Sequence, residues 1–104
     1  MKRLFISQPM RGKTDEEILA VRERAIESAK HYLGNDLEVI DSFFQNIDIP
    51  AEADRALWCL GKSLELLATA DAAYFVMGWE NYRGCKIENL CALEYGIDVI
   101  EDNE

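Results

Sequence analysis

Apolar residues fall along this chain in short runs that alternate with helical stripes. Leu4-Phe5-Ile6 is an uninterrupted apolar run near the amino terminus and predicts a buried strand. Ser7 to Lys13 follows, with Pro9 and Gly12 marking a loop. Thr14-Asp15-Glu16-Glu17 has the form of a capping box, Thr14 as N-cap and Glu17 reaching back. The helix it opens places Ile18, Val21, Ala25, Ala29 and Tyr32 on one face and ends at Gly34. Leu37 to Asp41 predicts a second strand. Ser42 to Pro50 is a loop, though an apolar one, with Phe43, Phe44, Ile47 and Ile49. Ala51 to Ala70 is helical in pattern, with Ala53, Leu57, Leu60, Leu64 and Leu67 in register, and Gly61 is a candidate bend. Ala72 to Met77 has no polar residue, as expected of a strand covered on both faces. A loop from Gly78 to Arg83, a third helix from Gly84 to Tyr95 closed by Gly96, a last strand from Ile97 to Ile100 and an acidic tail from Glu101 to Glu104 complete the chain.

The elements alternate strictly between strand and helix, which predicts a single α/β domain over residues 1–104: a parallel sheet with right-handed crossovers and helices on both faces. The expected strand order is 2-1-3-4. The chain then reverses direction between strands 1 and 3, and ligands of open α/β sheets bind beyond the carboxyl ends of the strands at such a switch. The loops Ser7–Lys13 and Gly78–Arg83 face that point.

Composition narrows the partners. Eleven Lys and Arg against 20 Asp and Glu give a net charge of -9, which disfavours duplex DNA or RNA because phosphate neutralisation needs clustered cations. A single nucleotide needs only one local anion site and stays open. No apolar run approaches the roughly 20 residues of a membrane helix, and no signal peptide precedes the first strand. Cys59, Cys85 and Cys91 form no CxxC pair and are read as reduced thiols of a cytoplasmic protein. With His31 the sole histidine, on the charged side of a helix, neither a metal site nor a cofactor is expected.

Two segments carry candidate chemistry. Ser7-Gln8-Pro9-Met10-Arg11-Gly12-Lys13 leads into a helix amino terminus, where free N–H groups and the helix dipole favour an anion. Arg11 can clamp a phosphate bidentately, and Gly12 lets the backbone come close. A plain turn with solvated cations would look the same. Glu88 lies just over one turn into the third helix, so its side chain can point back at the strand ends as a nucleophile or base, with the dipole favouring its ionised form. By spacing alone a surface glutamate in a favourable early turn is the commoner reading and prevails. Trp79 and Tyr82 flank Glu80 and can stack on a base or cover the core; of Phe43 and Phe44, one is expected in the core and one over the pocket. Asp71 opens strand 3 at the far end and is assigned a structural role. Cys85 lies near a helix amino terminus, where thiol pKa values can fall.

Phe5-Ile6-Ser7-Gln8-Pro9-Met10-Arg11-Gly12 resembles the opening of an uncharacterised bacterial and phage family whose members begin (Y/F)-I-S-x-P-M-R-G, and Gly78 to Glu88 (Gly-Trp-Glu-Asn-Tyr-Arg-Gly-Cys-Lys-Ile-Glu) resembles that family's second block. That family is similar in turn to the nucleoside 2-deoxyribosyltransferases and the deoxynucleoside 5'-monophosphate N-glycosidases, whose signature here reads Asp71, Gly84, Glu88, Ala92 and Gly96. The resemblance implies a flavodoxin-like fold with four or five strands, Glu88 as nucleophile, the Pro9–Lys13 loop as a holder of the 5'-phosphate, and a homo-oligomer. Ser7, Met10, Arg11, Gly12, Ser63, Trp79, Glu80, Tyr82 and Gly84 are the implied substrate contacts. The chain departs from the transferase pattern at two points: Ser63 stands where an Asp is expected eight residues before Asp71, and Tyr82 where an acid is expected six before Glu88, with Glu80 close by as a substitute. Three functions follow as expectations. One is N-glycosidase or 2-deoxyribosyl transfer on a deoxynucleoside or its monophosphate. The second is a non-catalytic nucleotide-binding or sensor module. The third is a partner-binding protein using Trp79, Tyr82, Phe43 and Phe44 as an association surface.

Overall fold

A computed structural model describes residues 1–44 and 48–102. Four strands, β1 (Lys2–Ser7), β2 (Leu37–Val39), β3 (Ala72–Phe75) and β4 (Asp98–Glu101), form one all-parallel sheet in the order β2-β1-β3-β4. Three helices, α1 (Asp15–Leu33), α2 (Arg55–Leu67) and α3 (Arg83–Glu94), make the crossovers. The architecture is flavodoxin-like α/β with four strands, no fifth being present among the described residues. No described helix is long and apolar enough to cross a membrane.

The register pairs Leu4 with Ala72 and Ser7 with Phe75, so β1 and β3 end level with each other. Side chains alternate across the sheet as the strand period requires. Leu4, Ile6, Ala72 and Tyr74 face α1, where they pack with Ala25 and Ala29. Phe5, Ala73 and Phe75 face the other way, onto Leu67 of α2 and Ala92 of α3. Helix α1 packs against β1 and β2, whereas α3 packs against β3 and β4 from the opposite side.

Local chemistry sets the element ends. The Thr14 hydroxyl accepts the Glu17 N–H and the Glu17 carboxylate accepts the Thr14 N–H, the capping box expected from sequence. Gly34 closes α1 at φ 87°, the left-handed region that glycine enters without strain. Helix α2 starts four residues later than the pattern predicts. Asp54 caps it by accepting the Leu57 N–H at 2.9 Å, and the preceding residues form a turn in which the Ala53 N–H meets the Pro50 carbonyl. Gly61 lies inside α2, which runs on through it. Strand β3 stops at Phe75, and Gly78 (φ 92°) starts a short 3-10 turn over Trp79–Asn81. Asp71 accepts the Arg3 N–H at 2.8 Å at the amino ends of β1 and β3, its expected structural role.

Two helix positions read as core are not. Tyr32 is 69% exposed near the carboxyl end of α1, and Leu57 is 67% exposed in the first turn of α2. Strand β2 is three residues rather than five, although the Ile40 N–H still bonds to the Leu4 carbonyl. Ile47, and the tail residues Asn103 and Glu104, lie outside the described residues.

Candidate functional site

Beyond the carboxyl ends of β1 and β3 lies a crevice of about 1020 Å³, open to solvent, between the β1–α1 loop, α2 and the start of α3. Ser7 is the last residue of β1 and is buried. The turn after β3 brings α3 back across the strand ends, so that Glu88, six residues into that helix, meets it: Ser7 Oγ donates to Glu88 Oε1 at 2.6 Å. The Ser63 hydroxyl of α2 lines the crevice beside the same carboxyl group and favours its charged form. Three elements distant in sequence thus converge on one acidic side chain.

Glu88 is 7% exposed, and burial pushes its pKa up to about 7, with the Ser7 hydrogen bond and the Ser63 hydroxyl pulling the other way. The dipole-based expectation of a readily ionised carboxylate is thereby corrected. Glu88 lies in the second turn of α3, beyond the reach of the helix terminus, and loss of hydration prevails. Cys85 is corrected in the same sense. Although it sits in the first turn of α3, burial raises its thiol to about 11, opposed by a hydrogen bond with Ser7 and reinforced by the Glu88 charge.

Ser7, Met10, Arg11, Ser63, Tyr82, Gly84 and Glu88 all line the crevice. Gly12, Trp79 and Glu80 lie outside it. Gly12 turns the exposed far side of the loop at φ 78°. The Trp79 ring packs on Phe75 with centroids 5.6 Å apart and joins the core under α3. Glu80 is exposed on the 3-10 turn. Phe44 lines the crevice, as expected of one of the paired phenylalanines.

Several lining residues escaped the sequence reading. Arg55, Arg83 and Lys86 join Arg11 around the opening, and Asp54 is the second described carboxylate in the lining, occupied in capping α2. The loop after β2 is fastened by Arg22, a buried α1 residue whose guanidinium donates to the Ile40 carbonyl and to Ser42 Oγ. Ser42 Oγ donates onward to the Ile6 carbonyl at 3.3 Å. Arg22 occupies a helical position between apolar neighbours, and a cation on the buried stripe was the available signal. Gln8, also buried, donates from Nε2 to the Ile18 carbonyl at 2.9 Å and ties the β1–α1 loop to its helix. Pro9, next in the chain, borders this crevice on one side and a separate groove along α1 on the other.

No family model, curated protein or solved structure matches this chain.

Proposed function

We propose that this protein cleaves or transfers the N-glycosidic bond of a deoxynucleoside 5'-monophosphate, with Glu88 as the nucleophile. The observation that carries the reading is the Ser7–Glu88 hydrogen bond of 2.6 Å, which ties a buried carboxyl group to the end of β1 inside a crevice large enough for a nucleotide. The phosphate preference is supported by charge. In a chain with 20 acids and 11 cations, the crevice gathers Arg11, Arg55, Arg83 and Lys86 against Asp54 and Glu88. The resemblance of the Gly84–Glu88–Ala92–Gly96 segment to the 2-deoxyribosyltransferase and N-glycosidase signature supplies the reaction class.

In this scheme a Glu88 oxygen attacks C1' through an oxocarbenium-like transition state, and the base departs with the C–N electron pair and is protonated from water. Water, or a second base, then attacks C1' of the glycosyl ester and releases the Glu88 carboxylate. Ser7 and Ser63 hold the carboxylate in place and stabilise its charge. The three free thiols fit a reducing cytoplasm.

The test is incubation with a panel of deoxynucleosides and their 5'-monophosphates, with and without acceptor bases, following base release by chromatography. Release from a monophosphate that is abolished in Glu88→Ala is the expected result. No release from any member of the panel, or release unchanged in Glu88→Ala, overturns it.

One observation favours a second reading. The crevice presents a hydroxyl, Ser63, beside Glu88, and its other described carboxylate, Asp54, is committed to a helix cap. A site of this kind fits a non-catalytic nucleotide sensor. A thermal shift with a nucleotide recovered chemically intact would favour the sensor.

A further inference from the structure

We propose, resting on the nucleotide reading of this crevice, that the amino half of α2 is its base-binding wall, and that the wall selects a nucleotide by the apolar face of the base and not by its hydrogen-bonding edge. Helix α2 packs on the sheet through its carboxyl half, where Leu64 and Leu67 join the core. Its amino half lines the crevice beyond the strand ends. Ser63, beside Glu88, marks the level of the reacting carbon. Helical spacing sets Ala56 and Leu60 in one row with Ser63, with Leu57 next to them. At a rise of about 1.5 Å per residue, Leu60 stands about 4.5 Å and Leu57 about 9 Å beyond Ser63 along the helix. A base joined to C1' covers that span.

The surroundings point the same way. Leu57 is 67% exposed, a large apolar side chain left to water on the crevice wall. Phe44, from the loop before α2, lines the same crevice and offers an aromatic face. The cations sort elsewhere: Arg11 is on the β1–α1 loop, and Arg83 and Lys86 are on α3. A nucleotide with its phosphate toward those cations and C1' at Glu88 turns its base toward α2. Trp79, an aromatic expected from sequence to stack on a base, is instead held in the core against Phe75. The side chains of Phe44, Ala56, Leu57 and Leu60 carry no hydrogen-bonding group, so the base contributes through the area it covers.

Calorimetric titration of Glu88→Gln, which lacks the attacking carboxylate and leaves ligands intact, tests this. The ligands are 2-deoxyribose 5-phosphate and the 5'-monophosphates of deoxyadenosine, deoxyguanosine, deoxycytidine and thymidine. The nucleotides should bind at least about tenfold more tightly than the sugar phosphate, with the two purines above the two pyrimidines and within about threefold of each other. In the same background, Leu57→Ser, a change at an exposed position that leaves the packing in place, should lower nucleotide affinity by about threefold, and Phe44→Ala by about tenfold. Neither should change the affinity for the sugar phosphate. Equal binding of sugar phosphate and nucleotides overturns the proposal. So does deoxyguanosine monophosphate far above the deoxyadenosine compound, as an edge contact from Arg55 would give. So does loss of the base preference in Tyr82→Ala with Leu57→Ser unaffected. Each of these leaves the nucleotide reading standing, whereas no binding by any of the five ligands removes both.

Discussion

Glu88 sits under two opposed influences: burial, which resists its charge, and two hydroxyls, which favour it. With a folded-state pKa of about 7 against an ordinary 4.5, the native protein holds the proton more tightly than the unfolded chain does. The sign follows directly. Stability associated with this group is complete below pH 4.5 and is lost as the pH rises to about 7, amounting to about 3 kcal/mol at most. Glu88→Gln is therefore expected to flatten the dependence of Tm on pH between 5 and 8 and to be more stable than the wild type at pH 8. Thermal denaturation across that range measures it. Catalysis pulls the other way, because only the ionised form attacks C1'. The proposed activity should show an acid limb in kcat/KM near pH 7, the value for the free protein. Removing the Ser7 hydroxyl deletes a hydrogen bond to the charged form, so Ser7→Ala should move that limb upward by about one to two pH units. A pH–rate profile of the variant would show it.

At the scale of elements, the caps are the most exposed to a simple check. Thr14 satisfies the first-turn donors of α1, the helix that positions the β1–α1 loop. Thr14→Ala should cost about 1 kcal/mol, read as a fall in Tm, while leaving a pH–rate profile of the crevice in place. The capping box was legible in sequence because both partners sit within four residues. So was the order of strands and helices, since periodicity and the crossover rule need no tertiary detail. The start of α2 was not, because the Ala-rich stretch from Ala51 continues the helical pattern while Asp54, the actual cap, carries no apolar signal. Of the candidate site, topology alone set the Ser7–Lys13 and Gly78–Arg83 loops toward one point, but that Glu88 turns inward to meet Ser7 did not follow from its spacing, which favours a surface glutamate. Nor did the placement of Trp79 follow. Whether an aromatic in a loop turns to the crevice or to Phe75 depends on where the 3-10 turn sends it, and nothing in the spacing states that. The direction of the Glu88 shift was also missed, since burial is a property of the assembled layers.

For the whole molecule, the distribution of charge matters more than its sum. An acidic chain with a cation-ringed crevice should discriminate strongly in favour of phosphorylated ligands, with a contribution that weakens as salt screens the exposed arginines and lysine. The expected outcome is a KM or Kd for a deoxynucleoside 5'-monophosphate at least about tenfold below that for the deoxynucleoside at low ionic strength, with the gap narrowing by 0.5 M salt. Arg11→Ala should close most of it. Titrations of both ligands at two ionic strengths decide the matter, and equal affinities would remove the phosphate from the reading.

Pro9 stands as a partition, with the crevice on one side of its ring and the α1 groove on the other. Its five-membered ring locks φ and leaves the side chain little freedom to yield, so a ligand pressing on it from the crevice would press on the wall of the groove. Under the proposed function, a nucleotide in the crevice and any occupant of the groove would then be linked, each changing the affinity for the other by the same factor. Amide hydrogen exchange along the α1 side of the groove should then change when a nucleotide fills the crevice.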